Sequence, residues 1–238
     1  MIEVVAETGS TSADLTGRLS AGEAVDDGHW LVADRQTAGR GRQGRTWSDG
    51  AGNFMGSTLV RLRAGDPPAH TLSLVAGVAV LKALECSAPA VAGLLLKWPN
   101  DVLVNGAKLA GILLERTGDA VIVGIGVNLA QAPEVSGRAV ASLAALECVV
   151  ERDAFAAMLD TCWGESLGLW RCGGWAEVRR GWLARAHPIG TPLAVHGANG
   201  EMVHGTFAGI DNEGALQLQL AGGTRRTIHA GEVLLDRR

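Results

Sequence analysis

Residues 97–115 read KWPNDVLVNGAKLAGILLE. Two apolar runs, Asp101 to Val104 and Leu109 to Glu115, flank Asn105-Gly106. Asn-Gly is the strongest short hairpin signal, because the tight turn needs positive φ at both central positions. The stretch therefore reads as two antiparallel strands. Upstream, Leu94 to Trp98 is another short apolar strand, and Pro99 removes a ladder donor and kinks the chain. Downstream, Thr117-Gly118-Asp119 is a further turn, followed by a strand from Ala120 to Ile125.

Working outward, Ser10 to Ala21 opens on Ser and Thr and spaces Leu15 and Leu19 four apart, which predicts a short capped helix. Trp30 to Ala33 and Phe54 to Leu62 are strand candidates. Pro68 to Leu84, rich in Ala, Leu and Val with Pro near its start, predicts a buried helix. Phe155, Leu159, Trp163, Leu167 and Trp170 fall at helical spacing, and Gly173-Gly174 divides residues 152–185 into two helices. After His187-Pro188 short strands alternate with Gly turns (PLAVHG, MVHGTFAGI, ALQLQL, TRRTIHA), as in a small all-β barrel. A boundary is expected near 185–190, dividing the chain into 1–186 and 187–238.

The bulk numbers narrow the function. With 238 residues, 47% hydrophobic and 19% charged, the chain has the composition of a globular protein of one large domain, or one large and one small. A net charge of −4 argues against a general nucleic-acid binder. No uninterrupted apolar run reaches membrane-spanning length, and the N-terminal residues lack a basic segment followed by an apolar one. Cys86, Cys148, Cys162 and Cys172 form no CxxC pair and suggest no zinc site. The expectation is a cytoplasmic protein with reduced cysteines and no membrane partner.

Against that acidic background, residues 39–47 read GRGRQGRTW. Glycines let backbone N–H groups approach an anion and let the loop move, while guanidinium groups match phosphate or carboxylate in two-pronged fashion. An RGG-like nucleic-acid segment and a plain solvated loop are the bland alternatives. No GxxxxGK[ST] phosphate loop is present, and the spacing of Gly39, Gly41 and Gly44 only weakly imitates a dinucleotide fingerprint. In KWPND, Lys97, Asn100 and Asp101 cluster at a Pro-broken strand junction, where polar groups commonly line a site, or merely make a turn. Lys108 opens the next strand, as an edge lysine or at a site mouth. Gly124-Ile125-Gly126-Val127-Asn128 is a strand whose small residues admit close approach.

GRGRQGRTW, KWPNDVLVN, KLAGILLE and GIGVNL, in this order and at these intervals, resemble the biotin–protein ligases. Ser10-Thr11 resembles that family's biotin-ring motif, and Gly231 to Leu235 (GEVLL) resembles its C-terminal part. The resemblance covers essentially the whole chain. It implies an α+β fold, a class II synthetase-like mixed sheet with helices as the catalytic domain, plus a small C-terminal SH3-like β-barrel. It implies two steps: biotin attacks the α-phosphate of ATP to give biotinyl-5′-AMP, and a lysine of a biotin carboxyl carrier domain then takes the biotinyl group. Biotin and ATP are then substrates, Mg²⁺ is expected, and a homodimer is compatible.

By motif position, Ser10, Thr11, Ser12 and Gln36 belong to the biotin ring. Gly39 and Gly111 pass close to the ligand, Lys108 holds the carboxylate, and Arg40 lies on the biotin side. Arg42, Arg45, Trp47, Lys97, Asn100 and Asn128 belong to the nucleotide side. Arg40 and Arg42 join Lys108 and Asp101 as the catalytic set. Arg40, Arg42 and Arg45 screen a carboxylate that must meet a polyphosphate, and the loop is expected to be disordered until ligands arrive. One departure stands out: the family usually has Asn where this chain has Ser12, and Ser has one donor proton and a shorter reach. Some family members carry an N-terminal DNA-binding segment. Here the motifs begin by residue 10, so no specific DNA binding is expected. A lipoate–protein ligase-like adenylating enzyme and a non-catalytic biotin-binding module are the alternatives.

Overall fold

The computed structural model describes residues 1–48, 50–197 and 201–235. The larger part is a seven-stranded sheet, and the smaller a five-stranded one. Along the chain come β1 (Ile2–Thr8), α1 (Thr11–Ser20), β2 (Trp30–Gln36), β3 (Phe54–Arg61), α2 (Leu72–Ser87), β4 (Leu94–Lys97), β5 (Asp101–Val104), β6 (Ala107–Thr117), β7 (Ala120–Val127), α3 (Arg152–Arg171) and α4 (Trp175–Ala184). The large sheet has the order β1-β2-β3-β7-β6-β5-β4. Only β1 and β2 run parallel, joined through α1; every other neighbouring pair is antiparallel. The sheet is therefore mixed, as expected.

Both faces of this sheet are covered. β3 and β7 accordingly read as nearly unbroken buried runs rather than alternating ones. On one face α2 and α3 bury Leu72, Val75, Ala79, Phe155, Leu159 and Trp163 against the strands. Trp30, Phe54, Phe155 and Trp163 meet edge-on, with centroids 5.6–6.4 Å apart; each such pair adds roughly 0.5–1.5 kcal/mol beyond its buried area. On the other face Leu15 of α1 packs with Leu31, Leu59 and Ile122. The stretch Ala69–Ser87 has the length and hydropathy of a membrane span, but 67% of it is buried inside the fold.

The 97–115 reading holds with one refinement. Asn105 (φ 48°) and Gly106 (φ 80°) form the tight turn. A bulge between Val102 and Leu103 then shifts the register, so Lys108 faces Leu103 while Asp101 faces Gly111.

The smaller sheet comprises β8 (Pro192–Gly197), β9 (Met202–Ile210), β10 (Leu216–Gln219), β11 (Arg225–Ile228) and β12 (Gly231–Leu235), in the order β11-β10-β9-β8-β12, all antiparallel. It is anchored to the larger part by polar and apolar contacts. Trp98 Nε1 donates to Gly214 O (3.0 Å) and Arg179 Nε to Asp211 O (2.8 Å). Phe207, Leu216 and Val233 join the same apolar core as Trp98 and Trp182. That attachment carries β12 to the mouth of the site described next.

Candidate active site

Two clefts open side by side at the ends of β2, β5, β6 and β7. The first is an open cleft spanning about 470 Å³, open solvent at its mouth included. Its floor is polar although it is buried: Ser10, Thr11, Ser12, Gln36 and Ser57 are all at most 8% exposed. The fold explains why. Ser10 caps α1, so the first turn of the helix carries Thr11 and Ser12 over the sheet, opposite Ser57 of β3 and Gln36 at the end of β2. Thr11 N–H donates to Gln36 Oε1 (2.8 Å), and the hydroxyls of Thr11 and Ser12 lie 2.7 and 2.9 Å from Ser57 Oγ.

The second cleft is also open and spans about 930 Å³, solvent at its mouth included. Lys97, Asn100, Asp101 and Lys108 line it from the sheet, Arg42, Arg45 and Trp47 from the Arg/Gly loop, and Arg138 and Glu232 from beyond. Arg42, Trp47, Asn100 and Lys108 border both clefts and so mark their junction. There Lys108 Nζ lies 2.6 Å from Asp101 Oδ1, and Lys97 Nζ is 3.8 Å from Asp101 Oδ2. Lys108 reaches Asp101 across Gly111, where a Cβ would sit 3.0 Å from its Nζ. Burial pushes the Lys97 ammonium below the ordinary lysine value, and Asp101 pulls it back only in part.

The Arg/Gly loop has a defined path in this structure. It folds back on itself, with Arg40 bridged to Thr46 and Gly41 N–H donating to Arg45 O (2.7 Å). Three side chains pin it. Arg42 donates to Asn100 Oδ1 (3.0 Å), Arg45 pairs through two nitrogens with Glu232 (2.9 Å each), and Arg40 lies 3.6 Å from Glu115. Glu232 also accepts from Arg138. Burial works to raise its carboxyl pKa, but the hydrogen bond from Arg45 and the charges of Arg138 and Arg45 outweigh it, holding the group below the usual carboxylate range.

Trp47 closes the loop by packing against Gly111 of β6 and Gly126 of β7. Its ring sits 5.7 Å from Lys108 Nζ and occupies the space a side chain at Gly126 would need. Its buried Nε1–H has no acceptor among the described residues. Gly126→Ala should therefore unseat the indole. The strand itself accepts Ala, since Gly126 does not have positive φ. The expected result is a rise of about tenfold in the KM of both ligands, with little change in unfolding temperature, because the clash falls on a loop rather than the core. Steady-state kinetics alongside thermal unfolding checks it.

Most of the residues expected from sequence converge on these clefts. Gly39 does not line either; a Cβ there would meet Trp47 O at 2.6 Å, so its smallness serves the loop's own fold. Asn128 lines the second cleft, but its amide donates to Ala141 O (3.0 Å), holding a strap whose Ala139 and Ala141 flank Lys108 through backbone bonds. Sequence reading missed Ser57, Arg138 and Glu232. Among the described residues no cluster of three or more His, Cys, Asp or Glu could cage a metal. Asp101 and Glu232 are each already paired with cations.

Residues 12–129 match the Biotin/lipoate A/B protein ligase family, and residues 194–236 the Biotin protein ligase C terminal domain. The chain is 39% identical to a biotin–[acetyl-CoA-carboxylase] ligase of Paracoccus denitrificans, covering 97% of this chain and 98% of that one. It is 39% identical to the enzyme of that name from Mycobacterium tuberculosis, over 98% and 88%. It is 32% identical to the bifunctional ligase/repressor BirA of Bacillus subtilis, over 92% of this chain and 70% of that one. Among solved structures, the biotin protein ligase of Aquifex aeolicus in complex with biotin and ATP superposes with a TM-score of 0.86 at 28% identity, covering 100% and 99% of the two chains.

Proposed function

The chain belongs to the biotin–protein ligase family, and from that premise we propose how its two clefts divide the reaction. It is an ATP-dependent ligase that activates biotin as biotinyl-5′-AMP and transfers the biotinyl group to a lysine of a biotin carboxyl carrier protein. The observation that supports this division is the pair of joined clefts, one with a buried polar floor, the other ringed by cations, meeting at Lys108.

In this reading the biotin ring lies on Ser10, Thr11, Ser12 and Gln36, and its carboxylate points to Lys108. The nucleotide occupies the second cleft, where Arg42, Arg45 and Lys97 meet its phosphates and Trp47 lines the wall. A biotin carboxylate oxygen attacks the α-phosphorus; the bond to the β-phosphate oxygen breaks and diphosphate leaves. Bringing two anions together needs fixed positive charge more than proton transfer, which is what the loop supplies. Folded over the junction, the loop also keeps water from the mixed anhydride.

In the second step the acceptor amine attacks the acyl carbon and AMP leaves. The acceptor lysine arrives as an ammonium, since its ordinary pKa is about 10.4. As Lys108 turns to the acyl phosphate, Asp101 becomes the group that orients this ammonium and takes its proton. The acceptor belongs to a biotin-dependent carboxylase, and we place the reaction in the cytoplasm. The lipoate alternative is disfavoured by the Arg/Gly loop and by the floor hydroxyls, for which lipoate offers no ring partner. Biotin-dependent exchange of labelled diphosphate into ATP tests the assignment. Exchange driven by biotin and not by lipoate is expected; its absence sinks the reading.

A further inference from the structure

Ser57 appears in none of the sequence motifs, yet it is the hub of the first cleft's floor. It is fully buried on β3, with Thr11 Oγ1 at 2.7 Å and Ser12 Oγ at 2.9 Å. The proton direction along this chain can be worked out. Thr11 backbone N–H can only donate, and it donates to Gln36 at 2.8 Å, so the Gln36 atom there is the amide oxygen. The Thr11 hydroxyl lies 3.2 Å from that same oxygen and must donate to it. Its single proton is then spent, so on the Thr11–Ser57 contact Ser57 donates. Ser57's proton is spent in turn, so Ser12 donates to Ser57. Every hydroxyl proton runs toward Gln36, and what Ser12 can offer a ligand is lone pairs only.

We infer that Ser57 is a specificity-determining positioning residue, which fixes the Ser12 hydroxyl as a pure acceptor toward a ring N–H donor. The inference rests on the biotin reading, whose cyclic urea supplies such donors. It also accounts for the departure at Ser12. A short hydroxyl there works because Ser57 lies within its reach, and because the facing strand carries Gly124, where a Cβ would come 2.7 Å from Ser12 Oγ.

The test is Ser57→Ala, assayed by diphosphate exchange with two probes: biotin, and a biotin analogue whose ring N–H is replaced by oxygen. In the wild type the analogue sets an acceptor against the Ser12 lone pairs. In Ser57→Ala the Ser12 proton is released and can turn to meet it. The KM for biotin should rise about tenfold, the scale of one lost hydrogen bond. The preference for biotin over the analogue should shrink by at least a similar factor, with the KM for ATP and kcat unchanged. Ser57→Cys, which keeps the shape and a weaker donor, should fall between, and carries the test if the Ala variant does not fold. Unchanged preference, or biotin KM, ATP KM and kcat all moving together, overturns the inference and leaves a merely structural serine. No biotin-dependent exchange in the wild type overturns the biotin reading and the inference with it.

Discussion

Asp101→Asn should slow transfer of biotin from preformed biotinyl-adenylate by about 10² to 10⁴, the usual worth of general-base help, and slow adenylate formation far less. The structure sharpens the competing explanation, because Asp101 is ion-paired with Lys108 and lies near Lys97. If that pairing were its whole role, the substitution would leave two ammonium groups facing one another, and both half-reactions would fall together with stability. If Asp101 instead passes from Lys108 to the incoming lysine, adenylation survives, since Lys108 then leaves Asp101 for biotin in any case. Raising the pH should partly rescue transfer in the variant, because free amine becomes more abundant as pH approaches the lysine pKa of about 10.4. Single-turnover kinetics on the purified adenylate complex, with unfolding followed separately, distinguishes the two. Equal losses in both steps would dispose of the base assignment.

The second large effect is expected in the loop. Arg42→Ala or Arg40→Ala should slow adenylate formation and let adenylate escape, with a loss of ~3 kcal/mol or about a hundredfold for a single electrostatic contact to the transition state. Arg42 should matter more. It borders both clefts and is held by Asn100, whose own amide is fixed to Ile112 O at 2.8 Å, whereas the Arg40 side chain is 57% exposed and only loosely paired. A preorganised cation stabilises developing charge without reorganising, and a mobile one must first be ordered. Rapid-quench measurement of adenylate, with its retention followed by filtration, checks this. Normal rates and tight retention in both variants would remove the loop arginines from the mechanism.

What could be read from sequence follows from how local each determinant is. The Asn105-Gly106 turn, the cap at Ser10 and the break at Gly173-Gly174 are each decided by a few adjacent residues, and all three stand in the structure. β1 was missed. It is an edge strand with Val4 48% exposed, so its apolar residues do not sort onto one buried face, and its pairing with β2 forms only through the α1 crossover. The site shows the same division. Arginines interleaved with glycines advertise anion chemistry wherever they fold. Ser57 is an ordinary strand serine until α1 lays its first turn above it. Glu232 lies in a stretch read only as part of the C-terminal fold, and gains its meaning from Arg45, 187 positions earlier. The bulge that sets Asp101 opposite Gly111 is likewise a property of the pairing and not of either strand alone.

Glu232 also changes what nucleotide binding means for this enzyme. It sits on Arg45 and Arg138, cations that line the proposed phosphate cleft, and it belongs to the smaller sheet. If the phosphates bind where proposed, a triphosphate would exchange one anion for another, and the affinity measured would be the difference between two attractions. The displaced carboxylate would stay tethered to β12, at a local concentration set by the fold, and would compete for the arginines again once diphosphate departs.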